Sequence, residues 1–436
     1  MEEKQQQWYV CCILLVTICM TLVRLSWRLR EGLYLARICV YRWTNIVSDR
    51  YVLRRSFPER VDDLNKDWFT KVLGKRVRTI ERNRKKENLP LDKVGAGGAG
   101  TSRCWIRIEF EDGSSEHLFI KLPATTMLER LFLTVFGVYE NEIRFYKSVR
   151  DTLPNDLTAE PRYADWQSTK FVLVLRDLSI ERDVIFPTIL DPYPIDRVRL
   201  VLRSLARFHA ANWNRVPLGC WTDEWSASRT VPSSISIGRT RPPFLKIIAT
   251  STLTKALERY PSALDPSIVS AYRKFIANYP AVRKFWSTGD LTMCHGDCHI
   301  GNMGFRKDDR SMFFFDMQCV AAEHPMRDVS YHLLSCFNDG DLADVEDELL
   351  SYYLHHLNER IGDGENGLGF EEAVFHYRIQ SFWVLTAFVI SAGASELMDE
   401  SVGRVILPRL SRHMCRIEAN AALSMVLGDF SAFGST

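Results

Sequence analysis

The chain has 436 residues, 46% hydrophobic and 25% charged, which excludes a disordered or collagen-like polymer and leaves length for two or three structural units. With 56 basic and 54 acidic residues the formal net charge is +2, so no overall field draws the protein onto nucleic acid and no nucleic-acid partner is expected. The odd count of 11 cysteines and the lack of any Asn-x-Ser/Thr acceptor speak for a reducing compartment rather than a disulfide framework.

Residues 8–23 are apolar apart from Thr17 and Thr21, and Arg24, Arg28, Arg30, Arg37 and Arg42 follow. The run falls short of the roughly 20 residues of a spanning helix, so Leu25 and Trp27, with snorkelling arginines, complete it. Residues 1–27 are therefore expected to be a single-pass transmembrane anchor, because a signal peptide carries its positive charge before the apolar run. The positive-inside tendency then leaves everything after Arg24 in the cytosol. Residues 28–60 read as a juxtamembrane linker or amphipathic segment, and the basic run at 76–86 as a solvated helix surface with anionic lipid as the competing partner.

A strand-rich region comes next. Cys104, Ile106, Ile108 and Phe110 alternate with polar residues, residues 111–115 supply a turn, and residues 118–122 resume a strand, the pattern of a β-hairpin. A helical stretch at 127–149 and an apolar strand at 171–175 follow. Beyond Leu178 helical patterns dominate, at 195–213, 266–279, 342–359, 370–391 and 405–426. The apolar run 382–392 is too short to span a membrane and reads as a buried helix. The order predicts an α+β, two-lobed chain, with a small β-rich lobe over 61–178 and a larger helical lobe over 179–436.

Four features carry chemistry. Gly95, Gly97, Gly98 and Gly100 fit Gly-x-Gly-x-x-Gly; a strand rather than a helix follows, which favours a glycine turn covering ATP phosphates with backbone N–H groups over a dinucleotide fold. Lys121 ends an apolar strand, where an unpaired ammonium is costly, so it needs anions: phosphates and a glutamate of the next helix, Glu142, with Glu140 as the alternative. Asp297 and Asn302 are spaced Asp-x-x-x-x-Asn within the loop 293–302, and Asp316 ends an apolar run fourteen residues later. That spacing offers a carboxylate base to a hydroxyl and two oxygen ligands to Mg²⁺. Cys294, His295, Cys298 and His299 as zinc ligands are the competing reading, and His295 is expected to fix the loop rather than to move protons.

These motifs, with residues 64–69, 174–178, 205–213, 315–318 and 327–331, resemble the aminoglycoside phosphotransferase and choline-kinase-like superfamily, in its ecdysteroid-kinase-like branch, from about residue 62 onward. The resemblance implies a protein-kinase-like fold, ATP and Mg²⁺, Asp297 as catalytic base, Asn302 and Asp316 as metal ligands, and adenine held by the hinge at Leu175, Arg176, Asp177 and Leu178. Arg176 stands where an acidic hinge residue is usual, and His299 and Gly301 look bacterial, so no steroid substrate is carried over. No Ala-Pro-Glu element follows Asp316, which points to a small hydroxylated acceptor rather than a peptide. The expected activity is thus a membrane-tethered small-molecule kinase with no evident protein partner; a catalytically silent nucleotide-binding scaffold is the alternative.

Overall fold

The computed structural model describes residues 57–83, 101–215 and 242–429, apart from 136, 168, 182–183, 192, 287, 309, 362–366 and 395–397. The expected anchor, most of the linker after it, the glycine run 95–100 and the segment 216–241 lie outside the described residues.

The first lobe opens with helix α1 (Lys66–Leu73), whose Asn65 cap accepts from the Trp68 N–H at 2.9 Å. Strands β1 (Val77–Arg82), β2 (Thr101–Phe110) and β3 (Ser115–Pro123) follow, then helices α2 (Met127–Val135) and α3 (Val138–Arg144), and strands β4 (Pro161–Gln167) and β5 (Lys170–Arg176). These make one five-stranded antiparallel sheet in the order β1-β2-β3-β5-β4. Because side chains alternate across a strand, Ile106, Ile108, Leu118, Ile120, Val172 and Val174 pack toward Phe69 of α1. Phe119, Leu173 and Leu175 face the larger core on the other side.

The second lobe is mostly helical, as its patterns predict, with five short strands among its described residues. After α4 (Leu178–Glu181) come β6 (Val184–Ile185), the helices α5 (Ile195–Ala210), α6 (Pro242–Arg259), α7 (Pro266–Ala277) and α8 (Tyr279–Trp286), and then β7 (Thr292–Cys294), β8 (Met303–Arg306), β9 (Met312–Phe314) and β10 (Ala321–Glu323). The last described elements are α9 (Met326–Cys336), α10 (Asp339–Ala343), α11 (Glu346–Asn358), α12 (Phe370–Gly393), α13 (Glu400–Arg416) and α14 (Ala419–Leu427). Helix α12 is apolar and long enough to cross a membrane by composition. It is buried instead, with Phe382, Val384, Leu385 and Val389 fully enclosed and α6 and α9 packed on it.

Three expectations need correction. Within the basic run 76–86, of which 84–86 lie outside the described residues, Val77–Arg82 is not a helix surface but an edge strand whose charges pair across to β2, Arg107 Nη1 meeting Glu81 at 3.1 Å. The stretch 127–149 breaks at Gly137 (φ 70°) and ends in a π-turn over Phe145–Val149. The last helix divides at Glu418, whose φ of 54° is left-handed.

Leu118 is fully buried between sheet and α1. Leu118→Ala is expected to lower the unfolding free energy by about 2–5 kcal/mol, read as a lower urea midpoint at unchanged slope.

Candidate functional site

Lys121 lies on β3 between Arg103 of β2 and Leu173 of β5. Its Nζ is 2.8 Å from each Glu142 oxygen and 3.2 Å from Asp316 Oδ1, with the side chain only 4% exposed. The structure thus joins Lys121 to Glu142 and not to Glu140, which pairs with Arg144 on its own helix. Helix α3 is enclosed on every side, and Asn141 Nδ2 donates to the Gln318 carbonyl at 3.0 Å, tying it to the turn after Asp316. Burial alone raises the Asp316 carboxyl, but Lys121, and after it Arg103, outweigh that and hold it below its ordinary value. Burial pushes Glu142 up, against the pull of Lys121.

The loop with Asp297 is carried by β7, which pairs with β10 in the register Cys294↔Ala321. Asn302 Nδ2 donates to the Asp297 carbonyl at 2.9 Å and to its Oδ2 at 3.0 Å. The Asn302 Oδ1 is buried without a hydrogen-bond partner. Phe315 locks the second segment to the first: its N–H donates to the Asn302 carbonyl at 2.9 Å, and its carbonyl meets His295 Nε2 at 2.7 Å. His295 therefore holds the loop together, as expected. Asp316 sits just beyond, with φ 60° and ψ 63°, a left-handed turn that redirects its side chain off the strand line.

A buried scaffold that carried no expected role supports this loop. Asp328, at the start of α9, accepts the His295 N–H at 2.6 Å, the Gly296 N–H at 2.8 Å and His209 Nε2 at 3.1 Å. His209 Nδ1 in turn meets the Tyr353 hydroxyl at 2.7 Å. Against the burial that raises it, His209, His295 and the Gly296 N–H hold the Asp328 carboxyl below its ordinary value. Trp383 of α12 donates to the Gly296 carbonyl at 3.0 Å. Gly296 has φ 81°, and a Cβ there would run into the Cys319 carbonyl oxygen. Burial, and after it the charge of the nearby Asp297 carboxylate, push the Tyr331 phenol far up. The only sequence sign of His209, Asp328 and Tyr331 was their place in the motifs 205–213 and 327–331, and Tyr353 and Trp383 had none.

The competing zinc reading fails in this geometry. Cys294 Sγ faces the Glu323 and His324 carbonyls, and His299 Nδ1 accepts the Gly301 N–H at 3.1 Å. At the hinge, Arg176 N–H donates to Glu160 and Asp177 N–H to the His117 carbonyl at 2.9 Å, while Asp177 Oδ1 accepts from Ser179. These two donors are therefore engaged within the protein. Beside them, on the Lys121 face of the sheet, opens a cavity of about 480 Å³ lined by Glu81, Trp105, Arg107, His117, Asp177 and Ile180, within the range of small-ligand pockets.

Two outcomes are expected. Glu142→Ala leaves a buried ammonium short of its main partner and is expected to cost about 3–5 kcal/mol of stability, measured by urea unfolding. Burial pushes the His332 imidazole, which contacts the Cys298 carbonyl in this loop, down to about 3 from an ordinary 6.5. The unfolded chain then binds the extra proton, so this contribution is complete above pH 6.5 and is lost as pH falls toward 3. Unfolding free energy is expected to fall by about 1.4 kcal/mol per pH unit from this group between pH 6 and 4, a share that His332→Gln removes from the slope.

The family model described as the ecdysteroid kinase-like family matches residues 102–363. No curated protein matches the chain. Solved structures similar to it include an ethanolamine kinase of Plasmodium vivax (15% identity, 86% of this chain and 92% of that one, TM-score 0.43). A choline kinase of Cryptosporidium parvum Iowa II (10%, 89% and 96%, 0.41) and a type I macrolide 2′-phosphotransferase (13%, 82% and 97%, 0.41) are others. The matched span contains Lys121, Glu142, Asp297, Asn302 and Asp316, and the chain belongs to the ecdysteroid kinase-like family of small-molecule kinases.

Proposed function

We propose that this kinase moves the γ-phosphate of ATP to a hydroxyl of a small molecule, with Asp297 as base and Asn302 and Asp316 as the ligands of Mg²⁺. The observation that carries the reading is Lys121 Nζ held at once by Glu142 and Asp316. A lysine fixed between a helix glutamate and the metal-binding aspartate is the arrangement that phosphoryl transfer from ATP requires.

The donor set fits the ion. Asn302 Oδ1 is a buried oxygen with no partner, and Asp316 is a carboxylate kept ionised, both hard ligands of the kind Mg²⁺ takes. Bound there, the ion supplies neutralisation of phosphate charge. The protein's own groups do the rest. Asn302 Nδ2 aims Asp297, which accepts the proton of the attacking hydroxyl. Lys121 and Arg103, opposite one another in register, present positive charge to the phosphates, and the Gly-x-Gly-x-x-Gly pattern of Gly95, Gly97, Gly98 and Gly100 supports a phosphate-covering role for that run. The cavity beside the hinge at Leu175, Arg176, Asp177 and Leu178 takes the adenine.

The acceptor is small because β10 and α9 follow Asp316 within ten residues, leaving no segment to dock a peptide. The apolar run 8–23 and the arginines after it support an anchor that holds the kinase on the cytosolic face of a membrane.

ADP release, screened against hydroxylated lipids, sterols and amino alcohols, tests the reading. Asp297→Ala is expected to lower kcat by about 10²–10⁴-fold with ATP affinity retained; an unchanged acceptor-stimulated rate would sink it. Gly296→Ala displaces the loop and is expected to cost about 10²-fold in kcat, in a protein with an unaltered far-UV circular dichroism spectrum.

A further inference from the structure

We propose that His324, Glu372 and His376 bind a divalent transition ion, of which Zn²⁺ is the best fit, at the root of the catalytic loop. Each residue offers one ligand atom within 4.8 Å of the others. Glu372 and His376 stand four residues apart on α12, and so on one helical face. His324 follows β10 directly, and its ring lies 3.5 Å from that of His376, 6° from parallel.

Both imidazoles are enclosed, at 0% and 5% exposure. His324 Nε2 and His376 Nδ1 are buried with no hydrogen-bond partner, a cost that protein interiors rarely leave uncompensated. Glu372 is exposed and provides the charge and the route in from solvent. Two imidazoles, one carboxylate and an open position make a zinc donor set, whereas Mg²⁺ and Ca²⁺ prefer oxygen alone. Metal at His324 Nε2 places the ring proton on Nδ1, which gives up a long 3.3 Å contact with the Met326 N–H. Closing on one ion requires the two near-parallel rings to tilt out of their stack, His376 also leaving its stack on Phe285. The neighbouring Arg327 is neutralised by Glu323 at 3.2 Å and lies between Trp286 and Trp383.

The site ties together two supports of the loop. His324 extends the strand that pairs with β7, and α12 carries the Trp383 that holds the Gly296 carbonyl. The ion would therefore hold the loop in place and take no part in phosphate transfer.

The full chain, stripped with EDTA and titrated with Zn²⁺ alone, tests this by calorimetry, metal analysis and thermal unfolding. One equivalent is expected to bind outside the nucleotide site and to raise Tm. Glu372→Gln, on the surface, and His376→Gln are expected to weaken binding by more than the roughly 10–100-fold that loss of an outer partner costs, whereas Asp316→Asn keeps it. Co²⁺ in place of Zn²⁺ is expected to give the visible absorption of a four-coordinate site, lost in His376→Gln. No bound equivalent, equal binding in wild type and Glu372→Gln, or binding lost in Asp316→Asn alone would each overturn the proposal.

Discussion

An ammonium taken out of water must be met by negative charge, and Lys121 is met twice, by Glu142 from the helix behind the sheet and by Asp316 from the second lobe. Neither carboxylate belongs to the strand that bears the lysine. The sheet, α3 and the turn after β9 are thus brought to one point by a single desolvated charge, and removing any partner strands the others in the interior. Asn141, beside Glu142, strengthens the same junction through the Gln318 carbonyl. The Lys121 face of the sheet is organised around that point.

On the other side of the site the organising group is Asp328. One carboxylate receives two successive backbone N–H groups of the loop 293–302 and a histidine that is itself held by Tyr353. Such a loop is fixed before any ligand arrives, which is how a catalytic carboxylate avoids reorganisation during the reaction. The proposed base, Asp297, is partly exposed, yet its backbone lies next to groups with no exposure at all.

Residue spacing exposed the parts of this design that are local. Alternation over Cys104 to Phe110 predicts the hairpin, and an ammonium on an apolar strand predicts a glutamate partner, found at Glu142. The Asp297, Asn302 and Asp316 positions follow from loop spacing, and the structure brings the two loop segments together through Phe315. What stayed hidden depends on distance along the chain or on backbone handedness. β1 was masked by its charges, because an edge strand exposes the very residues that suggest a solvated helix. The break at Glu418 has no compositional sign, since glutamate is an ordinary helix former. Asp328 and His209 are 119 residues apart, a separation at which no periodic pattern operates.

The left-handed turns at Gly296 and Asp316 have a further consequence. They lie at the two places where the chain leaves a short strand to present its functional carboxylates. Glycine is at ease in that conformation, but aspartate pays about 1–3 kcal/mol for it unless its surroundings compensate. At Asp316 the compensation is the salt bridge to Lys121, so the same contact that neutralises the lysine also keeps the turn from relaxing. The backbone twist and the ion pair are therefore one latch: opening either half releases both, and the direction in which Asp316 points is set jointly by its own turn and by the sheet it meets.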